Sequence, residues 1–171
     1  MHSCTPPQPT EKPKVEIENI ALKIRNEFFQ SDMPTSKKLA KMIERLNGKV
    51  LFLENTTRTE SIEAENGKFT IFLPHGTSVV RDNFTIAHEL GHYFLHLKDR
   101  VTGTCETISC NRGGSDRLEW EANWFAAELL MPKQEFGQKA KELQYNHEDL
   151  ADYFGVSSAA ARVRLKSLNL I

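Results

Sequence analysis

Phe84-Thr85-Ile86-Ala87-His88-Glu89-Leu90-Gly91-His92 reads as an amphipathic helix with two histidines one turn apart. Its apolar positions continue through Tyr93, Phe94 and Leu97, so the spacing predicts a helix over 83–97. Residues i and i+4 share a helical face, so both imidazoles can reach one metal ion. Zinc suits two neutral imidazoles best, because it accepts them in a tetrahedral site. Glu89 lies one residue further round, where it can take a proton from a water held by the metal. The pentapeptide alone is suggestive; its position after a strand and within an amphipathic helix adds weight.

Working outward, a catalytic site of this kind needs a third ligand and one open position. The helix predicted over 117–130 offers, besides Glu128, the pair Glu119 and Glu121. These lie about 200° apart around the helix, so only one can face the metal. Glu119 shares its face with Asn123, whose amide could hold a metal-bound imidazole from behind. Glu119 is therefore preferred as the ligand. His96 continues the face of His88 and His92, but the three span roughly 12 Å and cannot all bind one ion. We read it as a group supporting the site. Tyr93, His75 and Arg81 are the weak candidates for stabilising an oxyanion.

On both sides of this centre the pattern is that of a small α+β domain. Met1 to Lys14, with Pro6, Pro7, Pro9 and Pro13, predicts a disordered leader over 1–14. Ile17, Ile20, Ala21, Ile24 and Phe28 predict a first helix, and Leu39, Ala40, Ile43 and Leu46 a second. Three antiparallel strands follow: 49–54, 59–65 and 68–73, the last two joined by an Asn66-Gly67 hairpin. The third strand is expected at the sheet edge, where an extended substrate could add to it. Residues 98–116, with Gly103, Gly113 and Gly114, read as a loop. Cys105 and Cys110 within it have no diagnostic spacing and read as incidental thiols, the alternative being a thiolate that reaches the open metal position or a pair that senses oxidation. A further helix covers 133–143. Two short helices over 147–171 have a helix-turn-helix pattern, giving a domain over 15–144 and a helical subdomain over 145–171 packed on it.

Charge limits the function. The 171 residues carry 22 Lys+Arg against 23 Asp+Glu, a net charge of −1. That balance argues against direct nucleic-acid binding as the main role. On the C-terminal pair, Arg162, Arg164 and Lys166 are offset by Glu148, Asp149 and Asp152. No apolar run is long enough to span a membrane and no signal-peptide core is seen, so the expected compartment is the cytoplasm.

Two blocks carry a family resemblance. The first is 84–92 as quoted. The second is Glu119-x-x-Ala122-Asn123-x-Phe125-Ala126-Ala127-Glu128-Leu129-Leu130-Met131-Pro132. In this order, about 30 residues apart, they resemble the ImmA/IrrE-type metallopeptidases, a gluzincin-like group. The resemblance covers about Thr35 to Ile171. It implies a minimal zincin fold, one zinc ion per chain held by His88, His92 and Glu119, and Glu89 as the general base. It further implies site-specific cleavage of a regulatory protein, such as a helix-turn-helix repressor of a mobile genetic element or stress response. The alternative from another class is a non-catalytic, zinc-stabilised module that binds a partner repressor or DNA. A fourth coordination position filled by a cysteine or by Glu121 would mark it.

Overall fold

The computed structural model describes residues 6–30, 32–54, 60–99, 107–111 and 116–171. In chain order the elements are α1 (Lys14–Phe28), α2 (Thr35–Arg45), β1 (Gly48–Leu53), β2 (Glu60–Glu65), β3 (Lys68–Pro74) and α3 (Val79–His92). A π-helical turn, Tyr93–Leu97, extends α3. Then come β4 (Thr107–Asn111), α4 (Asp116–Leu130), α5 (Lys133–Glu142), α6 (His147–Phe154) and α7 (Ser158–Ser167). The α+β class stands. No described helix is long and apolar enough to cross a membrane.

The sheet corrects two expectations. Among the described residues it has four strands rather than three, in the order β1-β3-β2-β4, and it is mixed rather than antiparallel. Asn66 and Gly67 both have left-handed φ, 47° and 74°, as a tight hairpin turn between right-twisted strands requires. That turn sets β2 antiparallel to β3, with Glu65 opposite Lys68. β1 lies on the other side of β3 and runs parallel to it, from Gly48 opposite Phe69 to Leu53 opposite Pro74. β3 is thus interior, not an edge. Phe69, Ile71, Phe72 and Leu73 are its buried set, and Lys68 and Pro74 stand only at its ends, where they leave the middle free to pair on both sides. The fourth strand comes from the segment read as a loop, where Thr107-Ile108-Ser109-Cys110 pairs antiparallel with β2.

α3 packs on the sheet through Ala87, Leu90, Tyr93 and Leu97, joining Ile62, Phe69, Ile71 and Leu73 in one core. The helix begins at Val79, four residues before the apolar pattern predicts, because the Ser78 side chain accepts the Arg81 N–H and caps it. α4 lies against α3 at very close range. A Cβ at Gly91 would stand 3.0 Å from the Ala122 Cα and carbonyl oxygen, so these two small residues set the separation of the two helices.

The C-terminal helices are docked by polar contacts as well as by Leu150, Phe154, Ala161 and Leu165 in the core. Asn146 caps α6 and Ser157 caps α7. Between them Gly155 has φ +67°, and a Cβ there would meet Thr35 at 2.8 Å. Asn83 Nδ2 donates to the Gly155 carbonyl at 2.8 Å, and Thr35 Oγ1 to the Phe154 carbonyl at 2.8 Å.

Candidate metal centre

His88 and His92 stand one turn apart on α3, as their spacing requires, and the α4 side chain that meets them is Glu119. His88 Nε2 lies 3.1 Å from His92 Nε2. Glu119 Oε2 is 3.2 Å from His88 Nε2, and Oε1 is 3.3 Å from His92 Nε2. Among the described residues these three form a cluster able to hold a metal ion.

The surrounding hydrogen bonds assign the tautomers. Asn123 Oδ1 is 2.9 Å from His88 Nδ1, and an amide oxygen can only accept, so Nδ1 carries the proton. His88 Nε2 is then a lone pair. On the other side, Glu121 Oε2 accepts from His96 Nε2 at 3.0 Å. That leaves His96 Nδ1 to accept from His92 Nδ1 at 3.0 Å, so His92 Nε2 is also a lone pair. Two nitrogen lone pairs and a carboxylate therefore face one another across little more than 3 Å. Three electron-pair donors at that range need a proton or a cation between them, and the residues fit a cation on this chemistry.

The charges agree. The close approach of the His88 and His92 rings, outweighing partial burial, holds the Glu119 carboxyl well below the usual carboxylate range. Burial works to lower the pKa of His88, but Glu119 and the nearby Glu89 overcome it and raise it. Both shifts record attraction for positive charge at this point. Glu89 is buried beside the cluster, and burial raises its pKa against the pull of His92 and His88. Ser61 Oγ on β2 donates to Glu89 Oε2 at 2.9 Å and fixes the carboxylate.

The expected site residues therefore separate. The structure brings together His88, His92, Glu119, Asn123, His96 and Glu89. Tyr93 is buried in the core with its ring centroid 4.2 Å from that of Phe69. His75 follows β3, its ring 5.6 Å from Phe52. Arg81 lines an apolar groove of about 770 Å³ together with Phe84, Asn123, Trp124, Ala160 and Val163. Cys4 and Cys105 lie outside the described residues, and Cys110 is on β4. Two contributors were not anticipated. Ser61 shows in the sequence only as a polar residue beside the apolar alternation of β2. Glu121 lies on the far side of α4 from Glu119, as helical spacing predicts, and its engagement with His96 follows only from the fold.

A family model of peptidases described as the IrrE N-terminal-like domain matches residues 43–166. The chain belongs to this ImmA/IrrE-type family. A curated relative, Metallopeptidase ImmA of Bacillus subtilis (strain 168), is 35% identical over 86 residues, which are 50% of this chain and 49% of the relative. The chain thus covers about half the length of the curated relative it matches. Among solved structures, a Mycobacterium tuberculosis transcriptional regulator is similar in fold, with a TM-score of 0.60 and 21% identity. That match covers 88% of this chain and 46% of the other. As a member of a metallopeptidase family the chain is expected to carry a metal, and the His88–His92–Glu119 cluster is where the donors converge.

Proposed function

We propose that this protein is a zinc-dependent endopeptidase that cleaves a regulatory protein, with a helix-turn-helix repressor as the first candidate substrate. One observation carries the reading: two imidazole lone pairs and a carboxylate meet 3.1–3.3 Å apart, with a second, buried carboxylate beside them. A tetrahedral zinc site with ligand distances of about 2.0–2.1 Å places its ligand atoms roughly 3.3 Å apart, close to this spacing. His88, His92 and Glu119 hold the ion, and Asn123 and His96 fix the orientation of the two rings. When bound, zinc supplies Lewis acidity and brings the pKa of water towards neutrality.

The chain's own residues do the rest. Glu89 is the general base. Its raised pKa lets it accept a proton from the attacking water and return it to the leaving amine as the peptide bond breaks. Ser61 holds the carboxylate still for both transfers. The apolar groove bordered by Asn123 and α7 receives part of the substrate chain, and β4, the outer strand of the described sheet, offers backbone pairing to an extended segment. Residues 145–171 act as a packed subdomain that lines the groove rather than as a DNA reader. Arg164 supports this: it is buried, ion-paired with Glu128, and donates to the Met131 carbonyl at 2.9 Å.

A coordination position filled by a cysteine or by Glu121 would favour the non-catalytic alternative. Glu121, which could have closed it, is turned away and committed to His96, Thr10, Glu11 and Arg117. The decisive experiment incubates a repressor encoded beside this protein with the wild type and with Glu89→Gln. The wild type should cleave it at a defined bond. The variant should bind zinc normally and leave the repressor intact. Cleavage by Glu89→Gln would overturn the assigned mechanism.

A further inference from the structure

The Glu121 carboxylate is fully buried, at 0% exposure, and five donors close on it. Oε2 accepts from the Thr10 N–H at 2.9 Å, the Thr10 hydroxyl at 2.9 Å and His96 Nε2 at 3.0 Å. Oε1 accepts from the Glu11 N–H at 3.0 Å and Arg117 Nε at 2.9 Å. Arg117 also donates to the Lys12 carbonyl at 2.6 Å, and the Lys12 N–H to Thr10 Oγ1 at 3.2 Å. Glu11 takes a left-handed φ of 58° to present its N–H. A proline-rich segment more than 100 residues away in sequence is thus folded around one acidic side chain of α4.

This clasp leads to the metal. Through His96, Glu121 dictates that His92 carries its proton on Nδ1 and keeps Nε2 free. The π-helical turn supports the relay: its wider coil, closed by Lys98 N–H to the Tyr93 carbonyl at 2.8 Å, contains His96, whose ring it holds between His92 and α4. Three links connect residues 10–12 to a ligand residue: to Glu121, from Glu121 to His96, and from His96 to His92.

We propose that residues 10–12 are a brace for the metal centre, clamping the positioning residue Glu121 so that His96 holds His92 in its metal-binding tautomer. Coupling between two sites is reciprocal. Loosening the brace weakens metal binding, and metal binding tightens the brace. Thr10 and Glu121 touch neither ion nor substrate; they act through His96.

This rests on the zinc site proposed above, and the test separates the two. The full chain, freed of metal, is titrated with zinc against a chromophoric chelator, as wild type, Thr10→Val and Glu121→Gln. Melting curves of the metal-free proteins check that each is folded. Glu121→Gln should lose about 10–100-fold in zinc affinity and Thr10→Val several-fold. In the wild type, zinc should also slow hydrogen exchange at the Thr10 and Glu11 amides. That measurement needs no variant and stands if Glu121→Gln does not fold. Zinc affinity within about twofold of wild type in Thr10→Val, or exchange at both amides unchanged by zinc, would overturn the brace alone. A wild-type protein that takes up no zinc would overturn the metal site and the brace together.

Discussion

At the scale of single residues, the site sets two carboxylates of opposite tendency in one cluster, Glu89 buried and Glu119 partly exposed. Glu119 is drawn towards its charged form and Glu89 towards its neutral form, a split that separates a ligand from a proton carrier. Glu89 sets a sign that can be measured without substrate. Its folded pKa lies above the ordinary 4.5, so its contribution to stability is full below pH 4.5 and is lost as pH rises through the folded value. Glu89→Gln has no such loss. The metal-free variant should therefore melt higher than metal-free wild type at pH 7–8, with the gap closing towards pH 4, as thermal melts across that range would show. Asn123→Ala tests the ring on the other side: it should weaken zinc binding about 10–100-fold by freeing His88 to rotate or change tautomer. Helical spacing pairs His88 with His92 and Glu119 with Asn123 on one face of each helix, and the family resemblance is what brings the two faces and Glu89 together. Ser61 and the partner of Glu121 were not legible, because each contact joins residues far apart in sequence.

At the scale of elements, Gly91 and Ala122 decide how near α4 comes to α3, and hence whether Glu119 can reach the imidazoles. Gly91→Ala would put a methyl 3.0 Å from the Ala122 backbone and 3.3 Å from the Phe125 Cβ. A backbone cannot yield as a flexible side-chain tip can, so the helices must part. We expect a loss of about 1–3 kcal/mol in stability, the usual cost of overpacking. Zinc affinity should fall with it, read by chelator competition. Wild-type affinity in Gly91→Ala would show that α4 is positioned by other contacts. The helices themselves were legible from apolar periodicity, and the β2–β3 hairpin from Asn66-Gly67. The strand order was not. Local pattern says which segments are strands, whereas neighbours are chosen by the whole sheet, which put β3 in the middle. β4 was hidden by the glycines around it, since five residues with one alternation give a weak signal.

At the scale of the whole molecule, a metal held by His88, His92 and Glu119 would tie α3 to α4, and the C-terminal helices fasten both. Zinc that binds only the folded chain should raise the melting temperature, by the equivalent of about 4 kcal/mol at a thousandfold excess over Kd. The second fastening is the ion pair of Arg164 on α7 with Glu128 on α4, both buried. Glu128 also accepts the Lys133 N–H at 3.0 Å, and Arg164 reaches the Met131 carbonyl, so one pair ties α7 to the α4–α5 turn. Removing one member of a buried pair costs more than removing both, because the remaining charge stays desolvated. Arg164→Ala should therefore destabilise the protein by about 3–5 kcal/mol. The double variant Arg164→Met with Glu128→Leu should recover much of that loss in denaturant melts. If α7 were instead a DNA-reading helix with a free arginine, Arg164→Ala would leave stability nearly unchanged and lower only DNA affinity. The two outcomes share no result, so one melting curve separates a packing helix from a recognition helix.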